Sequence, residues 1–314
     1  MFLCVSGNPA VDKRIRMEHL RRGEVNRAES AQGFAGGKAA HVAMVLRTLG
    51  EKPEWIGPCG GGSGKEVLEG LSRLGIQASG VRIEGTTRIN LEILESDGTV
   101  TEILEPGPRV GAEEWRAFLE KCQEKFEQGR EGLSTIFSGS LPPGTAANLY
   151  GTLIKAARNA KCRTFLDASG EVLREGLQAM PEFVKPNREE ASRLLGTRID
   201  SLPAGAAAVR KLLEYGAQSA ALSLGRDGLL FCAGTKEPVL HATGRIIEGR
   251  STVGCGDSAV AGFAFGLGHG LSAEDTLGLA ASCGAANCLA DSPGTAKIED
   301  IWNIQKQISV QRIA

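Results

Sequence analysis

Asp257 stands in the run Gly254, Cys255, Gly256, Asp257, Ser258, and a carboxylate among glycines is the strongest chemical signal in this sequence. Behind it Ala259, Val260, Phe263 and Leu267 supply an apolar face at helical spacing, which puts Asp257 at a helix start. Main-chain N–H groups point outward from such a start and favour an anion. A carboxylate beside them can take the proton of an attacking hydroxyl. The four residues from Gly254 to Asp257 thus supply what phosphoryl transfer needs, donors for the migrating charge and a base. The plainer account is a helix cap with glycines turning the chain, and the motif alone weighs equally for both.

Two other glycine patterns carry less. GGGSGKEV at 60 to 67 has Cys59 and Glu66 where a P-loop needs Gly and a Mg²⁺-binding hydroxyl, so it reads as a turn before a core helix. GCGDSA at 254 to 259 fits a loose dinucleotide-binding pattern. More helix follows it, however, where the next strand of a βαβ unit belongs.

The elements that must position these residues alternate. The segments 135–139, 163–169, 183–187 and 220–225 are apolar and β-rich between helical patterns, which predicts an α/β fold with a largely parallel sheet. Ala39 to Leu49 has helical spacing with Gly50 as its stop, so Gly36, Gly37 and Lys38 fall at a helix N-terminus. Lys65 to Leu74 predicts a second helix, and Ala273 to Leu289 a third. Segments 12–34 and 86–105 alternate yet are charge-rich, the latter around the turn Asp97, Gly98. They predict antiparallel strands outside the main sheet, forming a small β lid over its active edge within one domain spanning 1–314.

Composition narrows the partners. With 36 basic and 37 acidic residues the formal net charge is −1, so no global field favours nucleic acid or a membrane surface, and a small molecule is the expected partner. The apolar run 259–267 is far short of the ~20 residues of a membrane span. The N-terminus lacks a signal-peptide pattern, and eight scattered cysteines without a CxxC read as reduced thiols. A soluble, cytoplasmic protein is expected.

Taken together, NPAVD at 8–12, GGK at 36–38, TRIN at 87–90, SGSLPPG at 138–144, KPNREE at 185–190, SLGRDG at 223–228 and STVGCGDS at 251–258 resemble the ribokinase-like (PfkB) carbohydrate kinases, in order and over nearly the whole chain. They look most like its hexose-phosphate branch, which includes 1-phosphofructokinase and tagatose-6-phosphate kinase. The resemblance implies a three-layer α/β/α sandwich with a mostly parallel central sheet and a β-sheet lid. It implies ATP and Mg²⁺ as cofactors, and a sugar or sugar phosphate bound beneath the lid. A homodimer through the lids is a further family-based expectation.

Carried over residue by residue, the resemblance makes Asp257 the base and the N–H groups of Gly254, Cys255 and Gly256 the anion hole. Asp12 accepts hydrogen bonds from sugar hydroxyls, with Gly36, Gly37, His41 and Asn90 around it. Lys38 and Arg88 grip the substrate's existing phosphate, and Ser138 adds a hydroxyl. Lys185, Asn187, Ser223, Gly225, Gly228 and Asn287 fall on the nucleotide side, and Glu190 organises Mg²⁺ indirectly, through water.

The pattern departs in two places. The usual GGKGxN reads GGKAAH, so His41 replaces a sugar-contacting asparagine, with a bulk that reshapes the pocket and a charge that could change near neutral pH. Glu92 stands where 1-phosphofructokinases tend to carry Lys. The expected reaction is ATP-dependent phosphorylation of fructose 1-phosphate, tagatose 6-phosphate or fructose 6-phosphate to a ketohexose bisphosphate. The alternatives are a kinase for an unphosphorylated sugar or nucleoside, and a non-catalytic sugar-phosphate sensor.

Overall fold

The computed structural model describes residues 1–245, 249 and 251–313. In chain order its strands are β1 (Phe2–Val5), β2 (Ala10–Met17), β3 (Ser30–Gly36), β4 (Glu54–Cys59), β5 (Gln77–Arg82), β6 (Arg88–Glu95), β7 (Val100–Leu104), β8 (Ser134–Ser138), β9 (Arg163–Asp167), β10 (Phe183–Val184), β11 (Ser219–Ser223), β12 (Leu229–Cys232), β13 (Val239–Thr243) and β14 (Ser309–Arg312). The helices are α1 (Lys38–Thr48), α2 (Gly61–Arg73), α3 (Ala112–Gly129), α4 (Leu149–Asn159), α5 (Gly170–Leu177), α6 (Arg188–Leu195), α7 (Leu202–Glu214), α8 (Cys255–Gly268), α9 (Ala273–Asn287) and α10 (Ile298–Gln305).

Ten strands form the main sheet in the order β14-β13-β12-β11-β10-β9-β8-β1-β4-β5. From β11 to β5 every pairing is parallel, and β12, β13 and β14 continue the sheet antiparallel. Side chains alternate between faces with the strand period of two. Cys4, Phe165, Phe183 and Phe231 pack into the core under α1, α8 and α9, while Leu3, Val5, Leu166 and Val184 enter the core on the other face. Strands buried on both faces read as continuous apolar runs, which explains why these segments were visible in the sequence.

The chain leaves β1 in one direction to β4 and β5, and later returns on its other side through β8 and β9. Ligands of open α/β sheets bind outside the carboxyl ends of the strands at such a reversal. Ser138 and Asp167, the last residues of β8 and β9, lie at that edge.

A second, four-stranded sheet has the order β3-β2-β6-β7. Its hairpins are antiparallel as expected, but β2 and β6 run parallel, because each enters the small sheet from the main one in the same sense. One further expectation is corrected. The glycines at 61, 62 and 64 lie within α2 rather than in a turn before it: Gly64 packs where a Cβ would come within 2.9 Å of Thr87 Oγ1. Beyond α10 the chain adds β14 to the sheet's edge. None of the described helices is long and apolar enough to cross a membrane.

Candidate active site

α8 starts where Gly254 turns the chain with φ of 82°, a left-handed conformation that disfavours a side chain. Asp257 therefore lies in the first turn of α8, with 6% of its surface exposed. Gly256 lies beside Lys185, whose Nζ would be 3.5 Å from a Cβ placed on that glycine. The buried Lys185 ammonium thus reinforces the positive end of the helix. One expectation changes here. The Cys255 N–H, expected to face an anion with its neighbours, is turned to the Thr252 carbonyl at 3.2 Å because residues 252–255 close a turn.

α1 begins opposite. Gly37, at φ of 84°, caps it and donates its N–H to Asp12 Oδ2 at 3.1 Å. Gly36 must lack a side chain, since a Cβ there would come within 2.2 Å of the same carboxylate. Asn90 on β6 donates to the other oxygen, Oδ1, at 2.8 Å. Asp12 is thereby held in a fixed orientation by two elements.

His41 spans the space between the two starts. Its Nδ1 lies 2.7 Å from Asp257 Oδ2 and its Nε2 lies 2.9 Å from Asp12 Oδ2. Burial, the largest single influence on the ring, favours the neutral form, but the two carboxylates outweigh it and push its pKa up to about 10. The ring is an imidazolium at neutral pH, donating to both carboxylates. A charge change near neutral pH is therefore corrected to one well above it. Asp12 responds in the opposite sense: burial acts to raise it, and the bonds from His41, Asn90 and Gly37 hold it below the usual carboxylate range.

Lys38 and Ser138 converge on a residue that sequence reasoning missed. Lys38 Nζ lies 3.4 Å from Asp167 Oδ2 and 3.9 Å from Glu190 Oε1, and Ser138 Oγ donates to Asp167 Oδ2 at 3.1 Å. The Lys38 ammonium is stabilised: burial works against it, and Asp167, Asp257 and Glu190 outweigh that. Asp167 Oδ1 is buried without a partner. Its signal was present, an aspartate ending an apolar strand at the sheet's carboxyl edge.

Arg88 has two nitrogens on main-chain carbonyls: NH1 donates to Glu105 at 2.9 Å and NH2 to Asn8 at 3.1 Å. Its Nε is buried without a partner. Lys38 and Arg88, expected to grip one phosphate together, thus have different partners in this structure, Lys38 the carboxylates of Asp167 and Glu190 and Arg88 two main-chain carbonyls.

On the remaining side, Asn187 and Glu190 form a reciprocal cap of α6. Glu190 N–H donates to Asn187 Oδ1 and Asn187 N–H donates to Glu190 Oε2, both at 2.8 Å. That leaves Glu190 Oε1 directed at Lys38. Ser223 bridges to Asn187, and Gly225 and Gly228 form the short turn that follows β11. Asn287, expected on the nucleotide side, is instead a clasp. Its Nδ2 donates to Val253 O at 2.7 Å and its Oδ1 accepts from Gly294 at 2.8 Å, which leaves little of the amide for a ligand. No cluster of three or more metal-ligating side chains exists among the described residues.

The Glu92 departure is compensated within the small sheet. Arg14 Nε and NH2 donate to its two oxygens at 2.8 and 2.9 Å, and Ser251 Oγ donates to Oε1 at 2.8 Å. Arg14 also bonds the Asp291 carbonyl. The buried charge is paired, and the small sheet is tied to the two loops flanking α8 and α9.

With this geometry in place, the chain matches the pfkB family carbohydrate kinase profile over residues 3–300. It is 30% identical to the 1-phosphofructokinase of Bacillus subtilis (strain 168), over 100% of each chain. It is 31% identical to the tagatose-6-phosphate kinase of Staphylococcus epidermidis, covering 99% of each. Among solved structures it resembles phosphofructokinase-2 from Escherichia coli in complex with substrates and products, with a TM-score of 0.89, 26% identity and 98% of each chain covered.

Proposed function

The chain belongs to the pfkB family of carbohydrate kinases, and from that premise we propose that it transfers a phosphoryl group from ATP to a hydroxyl of a hexose phosphate. The product is a ketohexose bisphosphate. The names of its relatives support this substrate class. The observation that carries the site is Asp257, buried in the first turn of α8 and facing Asp12 across His41. In this reading Asp12 accepts hydrogen bonds from the sugar and Asp257 takes the proton of its attacking hydroxyl.

The start of α8, with Gly256 and Lys185, receives the charge of the transferred group. Arg88 meets the substrate's own phosphate through its unpartnered Nε. The turn at Ser223, Gly225 and Gly228 lies where a nucleotide can approach backbone. Glu190 Oε1 and the unpartnered Asp167 Oδ1 suit Mg²⁺ held through water, since that ion binds with few direct protein ligands. When bound it would neutralise charge on the ATP phosphates.

The small sheet acts as the lid that excludes water from the reaction. Ile103 and Leu104 on its outer strand are more than half exposed, which supports a second copy covering them. All eight cysteines are free, as expected of a cytoplasmic enzyme.

A kinase for an unphosphorylated sugar is the second reading. Lys38 favours it, being engaged with Asp167 and Glu190 instead of standing free for a phosphate. The test is ATP turnover with Mg²⁺ against fructose 1-phosphate, fructose 6-phosphate, tagatose 6-phosphate, free hexoses, ribose and nucleosides. Turnover of a sugar phosphate alone supports the first reading, and turnover of only unphosphorylated acceptors replaces it with the second.

A further inference from the structure

Two thiols meet beneath the start of α8. Cys255 opens that helix and Cys288 caps α9, and their sulfurs lie 3.3 Å apart. Both are partly exposed, whereas Cys4, Cys59, Cys122, Cys162, Cys232 and Cys283 are buried. A disulfide bond is ~2.05 Å long, so the sulfurs need to close by only about 1 Å.

We propose that Cys255 and Cys288 are a redox modification site, forming a reversible disulfide under peroxides that switches off the catalytic loop. A hydrogen bond from the Cys255 thiol brings Cys288 down to about 7, so a share of it is thiolate near neutral pH. Burial pushes Cys4, Cys59, Cys122 and Cys283 up and away from that reactive form. The Cys288 thiolate attacks one peroxide oxygen. The O–O bond breaks, leaving hydroxide and a sulfenic acid. Cys255 sulfur then displaces the sulfenic oxygen as water, forming the S–S bond. In sum two thiols lose two hydrogens and one hydrogen peroxide becomes two waters. A dithiol reductant reverses the step and is itself oxidised.

The consequence for turnover rests on the proposed kinase reading; the disulfide does not. Cys255 lies two residues before Asp257, and Asn287 Nδ2 ties Cys255 Sγ, at 3.5 Å, to the Val253 carbonyl, at 2.7 Å. Drawing Cys255 toward the end of α9 displaces the turn that carries Gly256 and Asp257. A shift of ~1 Å in catalytic geometry lowers a rate by up to about 100-fold.

The test treats the full chain with hydrogen peroxide, quenches with catalase, blocks free thiols and maps peptides without reductant. The expected result is a cross-linked peptide pair containing Cys255 and Cys288 that dithiothreitol separates. Activity on the best sugar phosphate falls at least ~10-fold with the cross-link and returns on reduction. Cys288→Ser starts at wild-type activity and keeps it through the same treatment. Free, blocked thiols at both positions after treatment would falsify the site. Equal losses in Cys288→Ser and wild type would overturn the switch. Should the untreated protein phosphorylate no sugar phosphate, the kinase reading fails and the peptide map still decides the disulfide.

Discussion

His41 Nδ1 lies 2.7 Å from Asp257 Oδ2 although the two residues are 216 positions apart in the chain. The same ring reaches Asp12, so one cation stands between the proposed base and the proposed sugar-binding carboxylate. A neutral imidazole has a single N–H and can donate to only one of them. Both bonds together require the doubly protonated ring.

That requirement makes stability depend on pH in an unusual window. The His41 pKa is raised from its ordinary value of 6.5 to about 10, so the folded state favours the charged ring. Its contribution is fully present below about pH 6.5 and is lost as the pH rises through about 10. Calorimetry from pH 6 to 10.5 is expected to show a falling melting temperature for wild type and a flatter profile for His41→Asn. Parallel profiles would remove the imidazolium from the account.

Asp257→Asn keeps the shape of the side chain and removes the base. The turnover number is expected to drop by roughly 10²–10⁴-fold, the usual range for a positioned acid or base. Nucleotide affinity measured by titration calorimetry should stay within a few-fold. An Asp257→Asn enzyme as fast as wild type would end the assignment.

Arg88 and Lys38 are expected to separate kinetically. Arg88→Ala is expected to raise KM for a sugar phosphate about 10-fold or more, because a charge-assisted bond to the phosphate is lost, while unphosphorylated sugars are unaffected. Lys38→Met should act chiefly on the turnover number, since its ammonium sits against Asp167 and Glu190. Steady-state kinetics with both acceptor classes decides it, and a pure KM effect at Lys38 would return that residue to the phosphate site.

The Arg14–Glu92 pair is buried, with side-chain exposures of 5% and 9%. Removing one partner leaves an uncompensated charge, which typically costs ~3–5 kcal/mol. Glu92→Leu is therefore expected to destabilise strongly in denaturant unfolding, and Arg14→Met combined with Glu92→Leu to recover most of the loss. Additive losses in the double variant would show that the pair is not coupled.

Much of this molecule was legible because it is local. The apolar strand runs, the stop glycine after α1 and the turn at Asp97 and Gly98 follow from side-chain spacing and backbone preference, which neighbours along the chain set. The start of α8 beside Asp257 was legible for the same reason, and so was the small sheet as a set of alternating strands. The parallel pairing of β2 with β6 was not, since period-two alternation says nothing of strand direction.

The side-chain partnerships behaved differently. GGKAAH marked His41 as a departure, yet its charge comes from two carboxylates on other elements, which only packing brings to opposite nitrogens of one ring. Glu92 looked like an unbalanced anion until β2 placed Arg14 and the loop before α8 placed Ser251 against it. Asp167 gained its meaning from Lys38 and Ser138, and Cys255 from Cys288. The order of elements and the place where a base could stand follow from neighbours along the chain, and were readable for that reason. Which charges neutralise one another depends on through-space distances of a few ångströms between distant segments, and these exist only once the chain has packed.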